Sequence, residues 1–118
     1  MPLINRHTKV QTLTIANGEA LSDQFEMKDY AGGQLHMPAA WTAASIGFKV
    51  SSSPGGTYLP LYDEGGDLVQ IGSPSVDCAY QLPIALYGAL HFKLWSQDGA
   101  GADENQGAAR SIIVEVKS

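Results

Sequence analysis

The segment Ser45-Ile-Gly-Phe-Lys-Val50 alternates without a break. Ile46, Phe48 and Val50 fall on one side of an extended chain, and Ser45, Gly47 and Lys49 fall on the other. A period of two marks a β-strand with one buried face, and it is incompatible with an amphipathic helix. Similar short runs recur along the chain between turn signals. Residues 10–15 alternate β-branched and polar side chains and close on Ala16-Asn17-Gly18, a strong turn sequence. Residues 24–28 place Phe25 and Met27 on one face, and residues 34–37 do the same with Leu35 and Met37. Pro54-Gly-Gly56 leads into a run over 57–62, where Pro60 predicts an edge strand or a bulge. Asp63-Glu-Gly-Gly-Asp67 turns the chain into 68–71, and further strands are predicted over 76–81, 91–95 and 111–116.

Helical pattern is scarce. The apolar stretches 38–45 and 83–90 could each make a helical turn with Pro at its first position, and both are too short to stand alone. Eight or nine strands at even spacing, in a chain with 13 Gly and 6 Pro, predict an all-β fold: a single antiparallel β-sandwich of jelly-roll or Greek-key type. At 118 residues this is one domain, 8–118, preceded by an N-terminal arm over 1–7.

Composition narrows the function. The net charge is -5, and the seven Lys and Arg are scattered, which argues against a nucleic-acid-binding face. No apolar run is long enough for a helical membrane span, and no secretory leader is expected from Met-Pro-Leu-Ile-Asn-Arg-His. The single Cys78 forbids an internal disulfide, fits a reducing cytoplasm, and reads as a small apolar core residue of the 76–81 strand.

Catalytic and metal signatures are not apparent. His7, His36 and His91 are far apart, and the two in strands are expected to alternate outward. The acidic clusters Asp63, Glu64, Asp67 and Asp98, Asp103, Glu104 lack the spacing of an EF-hand loop and read as solvated turns. There is no Gly-x-Ser-x-Gly, and Gly99-Ala-Gly101 does not open a helix. No catalytic residue, cofactor or metal is expected, and the chain reads as a non-enzyme. The aromatics say more. Trp95 is either a core residue or an outward platform, and Trp41, set among four alanines in a loop, is either an exposed anchor or a plug at the end of the sandwich.

Four segments carry a family resemblance: Leu13-Thr-Ile-Ala-Asn-Gly-Glu-Ala-Leu-Ser22, Met37-Pro-Ala-Ala-Trp-Thr-Ala-Ala44, Tyr62-Asp-Glu-Gly-Gly66 and Asn105-Gln-Gly-Ala-Ala-Arg110. Together they resemble a family of small virion-associated proteins of tailed bacteriophages, from about Val10 to Val116, with the Trp41 loop the most specific part. The region of Phe48, Ser51 and Gly56 is also similar to galactose-binding-like jelly rolls, although the turn here reads Ser-Ser-Ser-Pro-Gly-Gly instead of Ser-x-Asp-Gly.

The phage resemblance implies a bacteriophage virion structural protein, made in the bacterial host cytoplasm. The expected role is a capsid decoration (cement) protein or head-fibre base that binds the major capsid protein or a neighbouring virion protein. A homo-oligomer, with a trimer favoured, is expected, with no nucleic acid or membrane as partner. The contact elements would be the arm, Pro2, Leu3, Ile4, Asn5, Arg6 and His7, and the loop residues Trp41 and Thr42. The alternative is a carbohydrate-binding module of a tail or head fibre, with Trp41, Trp95, Tyr58 or Tyr62 as a stacking platform.

Overall fold

The computed structural model describes residues 7–27 and 30–118. Among these residues the chain forms β1 (Thr8–Ile15), β2 (Leu21–Glu26), β3 (Gly32–His36), β4 (Ser45–Ser51), β5 (Leu59–Pro60), β6 (Gln70–Ile71), β7 (Ala79–Gln81), β8 (His91–Gln97) and β9 (Arg110–Lys117), with one 3-10 turn at Ile84–Gly88. Each alternating run of the sequence supplies one strand. The three runs in the middle of the chain shrink to two or three paired residues, while β8 extends beyond Trp95 to Gln97. The arm residues 1–6 and the expected strand end at Lys28 lie outside the described residues.

Neighbouring strands are all antiparallel and follow the order β5-β4-β8-β2-β1-β9-β3-β7, with β6 also on β4. β1 and β2 pair only at Ile15↔Ser22 and then diverge. The single ladder therefore folds at that corner into two facing sheets. The first is β1-β9-β3-β7 and the second is β5-β4-β8-β2. Two interleaved four-stranded sheets in which the last two strands fill the middle positions are the double Greek key of a jelly roll. Pro60 lies on the terminal strand of the second sheet, where its missing N–H costs no ladder bond.

The core lies between the sheets. Leu13, Ile15, Ile112 and Val114 from the first sheet meet Phe25, Phe48, Phe92 and Leu94 from the second, all fully buried. The Phe92 ring is 5.0 Å from that of Phe25 and 6.0 Å, edge-on, from that of Phe48. Burial of each such side chain contributes on the order of 2 kcal/mol. Where β1 and β2 part, two long polar side chains close the seam. Lys9 Nζ donates to the Glu26 carbonyl at 3.0 Å with its ammonium over the Phe25 ring, and Gln11 Nε2 donates to the Gln24 carbonyl at 3.0 Å.

One of the two expected helical turns forms. Pro83 precedes the turn at Ile84–Gly88, which buries Leu86 against the core. Residues 38–45 form no helix, because their polar groups are bonded elsewhere: the Trp41 indole N–H donates to the Ala44 carbonyl at 3.1 Å, and the Thr42 amide donates to Gln106 Oε1 at 2.8 Å. Cys78 also departs from expectation. It is exposed, not core, because the paired strand begins only at Ala79 and Asp77 before it turns with φ at 55°.

Candidate functional site: one loop cluster and one sheet face

The residues singled out in the sequence gather at three places. The first is the end of the sandwich beside the β1–β2 turn. Gln106, 1% exposed, is its keystone. Its backbone accepts from Gly18 N and donates to the Glu19 carbonyl, tying down the tight turn where Gly18 takes φ of 79°. Its Oε1 also accepts from Arg110 Nε at 3.2 Å, and its Nε2 donates to the Thr42 carbonyl at 3.1 Å and to Ser96 Oγ at 2.9 Å. Thr42 Oγ1 accepts from Gly107 N and Arg110 Nη2. A buried amide with all its donors and acceptors satisfied rigidifies its surroundings. Trp41, on the same loop, is half-buried and packs against the core. It thus caps the sandwich while remaining partly exposed.

The second place is the opposite end. His7, exposed, exchanges bonds with the last residue: its N–H donates to Ser118 Oγ, and Ser118 N–H donates to its carbonyl, both at 2.9 Å. The length of β1 separates His7 from the Thr42 cluster, roughly 25 Å for eight extended residues. His7, the one arm residue among those described, lies away from the Trp41–Thr42 loop, and Pro2 to Arg6 fall outside the described residues.

The third place is the outer face of the second sheet, away from the core. Here the register sets side chains in rows: Pro60, Lys49, Lys93 and Gln24 form one, and Gly47, Trp95 and Leu21 the next. Trp95 settles its two readings in an unexpected way. It points away from the core and is still only 2% exposed, because the loop after β8 folds over it. Its indole N–H donates to Asp103 Oδ1 at 2.7 Å, and Gly101, with φ at 95°, passes close to the ring edge. On the adjacent strand, a Cβ on Gly47 would sit 2.9 Å from Trp95 Cε3, so the ring requires glycine beneath it. Asp98 fastens the covering loop. Its Oδ1 accepts from Ala100 N and Ala102 N, and those bonds hold its carboxyl below the ordinary carboxylate range. Buried Gln97 completes the attachment, accepting from Gly99 N at 2.6 Å and donating to Gln70 Oε1 at 2.6 Å.

Two tyrosines join this face. Tyr58 reaches across from the segment before β5, donating to the Pro54 carbonyl at 3.0 Å and lying 3.3 Å from Gln24 Oε1; burial raises its phenol pKa. Tyr62 is 52% exposed, and its hydroxyl approaches the Gly101 position near Trp95. Lys93 Nζ lies 4.6 Å from the centre of the Tyr58 ring, and Lys49 Nζ lies 4.6 Å from that of Trp95.

The acidic turns are built by their carboxylates. Asp63 Oδ1 accepts from Gly65 N and Asp67 N, just as Asp98 and Asp103 serve the loop over Trp95. Among the described residues no group of three His, Cys, Asp or Glu side chains is placed to hold a metal ion. His36 and His91 lie on the outer faces of the first and second sheets, as alternation requires, and His36 Nε2 is 3.3 Å from Glu115 Oε1. Sequence reasoning missed the role of Gln106 and the juxtaposition of Lys49 and Lys93. A signal for Gln106 existed, since it lies in the Asn105–Arg110 segment; the lysines lie 44 positions apart and meet only through strand pairing.

Strand order and packing define a jelly-roll protein. Among solved structures, the chain is similar to the SPBc2 prophage-derived protein YomS, with a TM-score of 0.63 over 100% of this chain and 99% of that one, at 11% sequence identity. The two share a fold from end to end. No protein-family model matches the chain, and no curated protein sequence matches it.

Proposed function

We propose that this chain is a structural protein of a bacteriophage particle, a capsid decoration (cement) protein or head-fibre base that docks on the assembled shell. The observation that carries this reading is the end-to-end fold similarity to a prophage-derived protein. The four segments that resemble small phage virion proteins support it independently. So does the construction of the Trp41 loop: Gln106 and Arg110 hold it rigid, so little ordering entropy is lost when it docks. His7 and the Trp41–Thr42 loop would then touch different neighbours, as suits a protein that bridges subunits, and residues Pro2 to Arg6 would extend the contact from the His7 end. Self-association, as a trimer, would multiply such contacts. The test is the copy number in purified particles by quantitative mass spectrometry, with co-sedimentation on empty capsids. Hundreds of copies identify a shell component and a handful a vertex, neck or tail component; absence from particles overturns the reading.

A second reading, a carbohydrate-binding module of a fibre, is favoured by one observation: Tyr58 and Tyr62 share the outer face of the second sheet with polar side chains. Trp95 cannot be its stacking platform, since the 98–104 loop covers it. Titration of the chain with host polysaccharide, followed by tryptophan emission and calorimetry, tests this reading; no signal in either would sink it.

A further inference from the structure

Lys49 and Lys93 stand directly opposite each other on adjacent central strands of the second sheet. Like charges in that relation destabilise a sheet, since their Cβ atoms are only about 5 Å apart. Neither ammonium has a carboxylate partner among the described residues. Both are half-buried, and each lies above an aromatic ring at 4.6 Å. The rings draw the two ammoniums toward fixed positions instead of letting them splay into solvent. This occurs in a chain with 12 acidic and 7 basic residues, so a local positive site stands on an acidic protein.

We infer that the Lys49–Lys93 pair is a binding site for an anionic saccharide, one bearing carboxylate or phosphate groups, on the outer face of the second sheet. The inference rests on the carbohydrate-binding reading and names the ligand chemistry for it. Oxyanions of the saccharide accept charge-assisted hydrogen bonds from the two ammoniums, one over Trp95 and one over Tyr58, and offset their repulsion. The exposed ring of Tyr62 and the flat edge of Pro60 beside Lys49 offer an apolar surface for one face of a sugar ring. Gln24, at the end of the Lys49–Lys93 row, supplies an amide group for a sugar hydroxyl. The acidic remainder of the surface repels a polyanion, so binding concentrates at this site.

The experiment is calorimetric titration of the full chain with four probes: a galacturonate trisaccharide, a short glycerol-phosphate oligomer, maltotriose and poly-glutamate. The two anionic carbohydrate-type probes distinguish carboxylate from phosphate as the natural group. At least one is expected to bind and to weaken with added salt, while maltotriose does not bind. Lys49→Met and Lys93→Met keep the aliphatic stems over the rings, and each is expected to weaken binding by about tenfold, the loss of one charged hydrogen bond. Lys49→Arg restores it. Lys93→Glu is expected to abolish binding without lowering Tm, because it replaces a repulsive pair with an attractive one. Maltotriose binding with unchanged affinity in the Met variants overturns this inference and leaves the carbohydrate-binding reading standing. Binding by none of the carbohydrate probes overturns both. Poly-glutamate binding at least as tightly as the saccharides overturns the inference in favour of an acidic protein partner.

Discussion

The outer faces of the two sheets start from the same alternating pattern and end very differently. On the first sheet the outward residues are Val10, Thr12, Ile113, Gln34 and Glu115, and they stay open to solvent; Val10 is 66% exposed. On the second sheet the outward residues include Trp95 and Gln97, and both are buried beneath an added loop. Both inner faces carry the apolar core. What separates the outer ones is the covering segment after β8, fastened by Asp98, Gln97 and Asp103. A sheet face becomes a second small core when a loop is anchored over it, and it stays a plain surface when none is.

That contrast can be tested. Trp95→Ala is expected to cost about 4 kcal/mol in urea unfolding, the penalty of a core aromatic. A cost below about 1 kcal/mol would mean that the covered face is surface after all. Gly33→Ala probes the bare sheet from behind. A Cβ there would press into the Glu115 carbonyl and the Val116 side chain, and about 2 kcal/mol of overpacking is expected by the same measurement. Ile113→Thr, on the open face and 42% exposed, should stay within about 0.5 kcal/mol of the parent.

The smallest effect concerns pH. Glu115 accepts a hydrogen bond from Gln34 and has His36 beside it, and both hold its carboxyl below the ordinary carboxylate value. A lowered folded-state pKa gives stability that is present above the unfolded value, about 4.3, and is lost as pH falls through the folded one. Glu115→Gln should therefore flatten the acid side of a Tm–pH curve slightly, below about pH 4. An unchanged slope would show that this cluster contributes nothing to acid stability.

Much of the fold was legible in the sequence. Residues 111–116 bury one face, at a period no helix could satisfy, whereas residues 45–48, expected to bury one face, bury both, because the cover over Trp95 also encloses Gly47. Pro60 announced its edge position because a missing N–H is tolerated there. Pairing order was not legible, since alternation fixes which face is inward but not which strand is the neighbour. Trp95 shows the cost. Its parity in β8 put it outside, and its burial depended on a loop whose path is set by hydrogen bonds to Asp98 and Gln97. Cys78 was misplaced for a related reason: the run around it was apolar enough for a strand from 76, but the turn at Asp77 delayed pairing to Ala79. Of the expected contact residues, Thr42 proved to be a structural clasp as well as a loop residue, because its hydroxyl serves Arg110 and Gly107.

One interior strand of each sheet, β9 in one and β8 in the other, arrives after every other strand has been made. During synthesis β1 and β3 have no partner between them until β9 emerges, and neither do β2 and β4 until β8 does. Assembly must therefore wait for these two strands and be slow, governed by distant rather than local closures. Removing β9 alone would leave the first half of the molecule as unjoined ribbons with raw edges, open to pairing with whatever chain lies nearest.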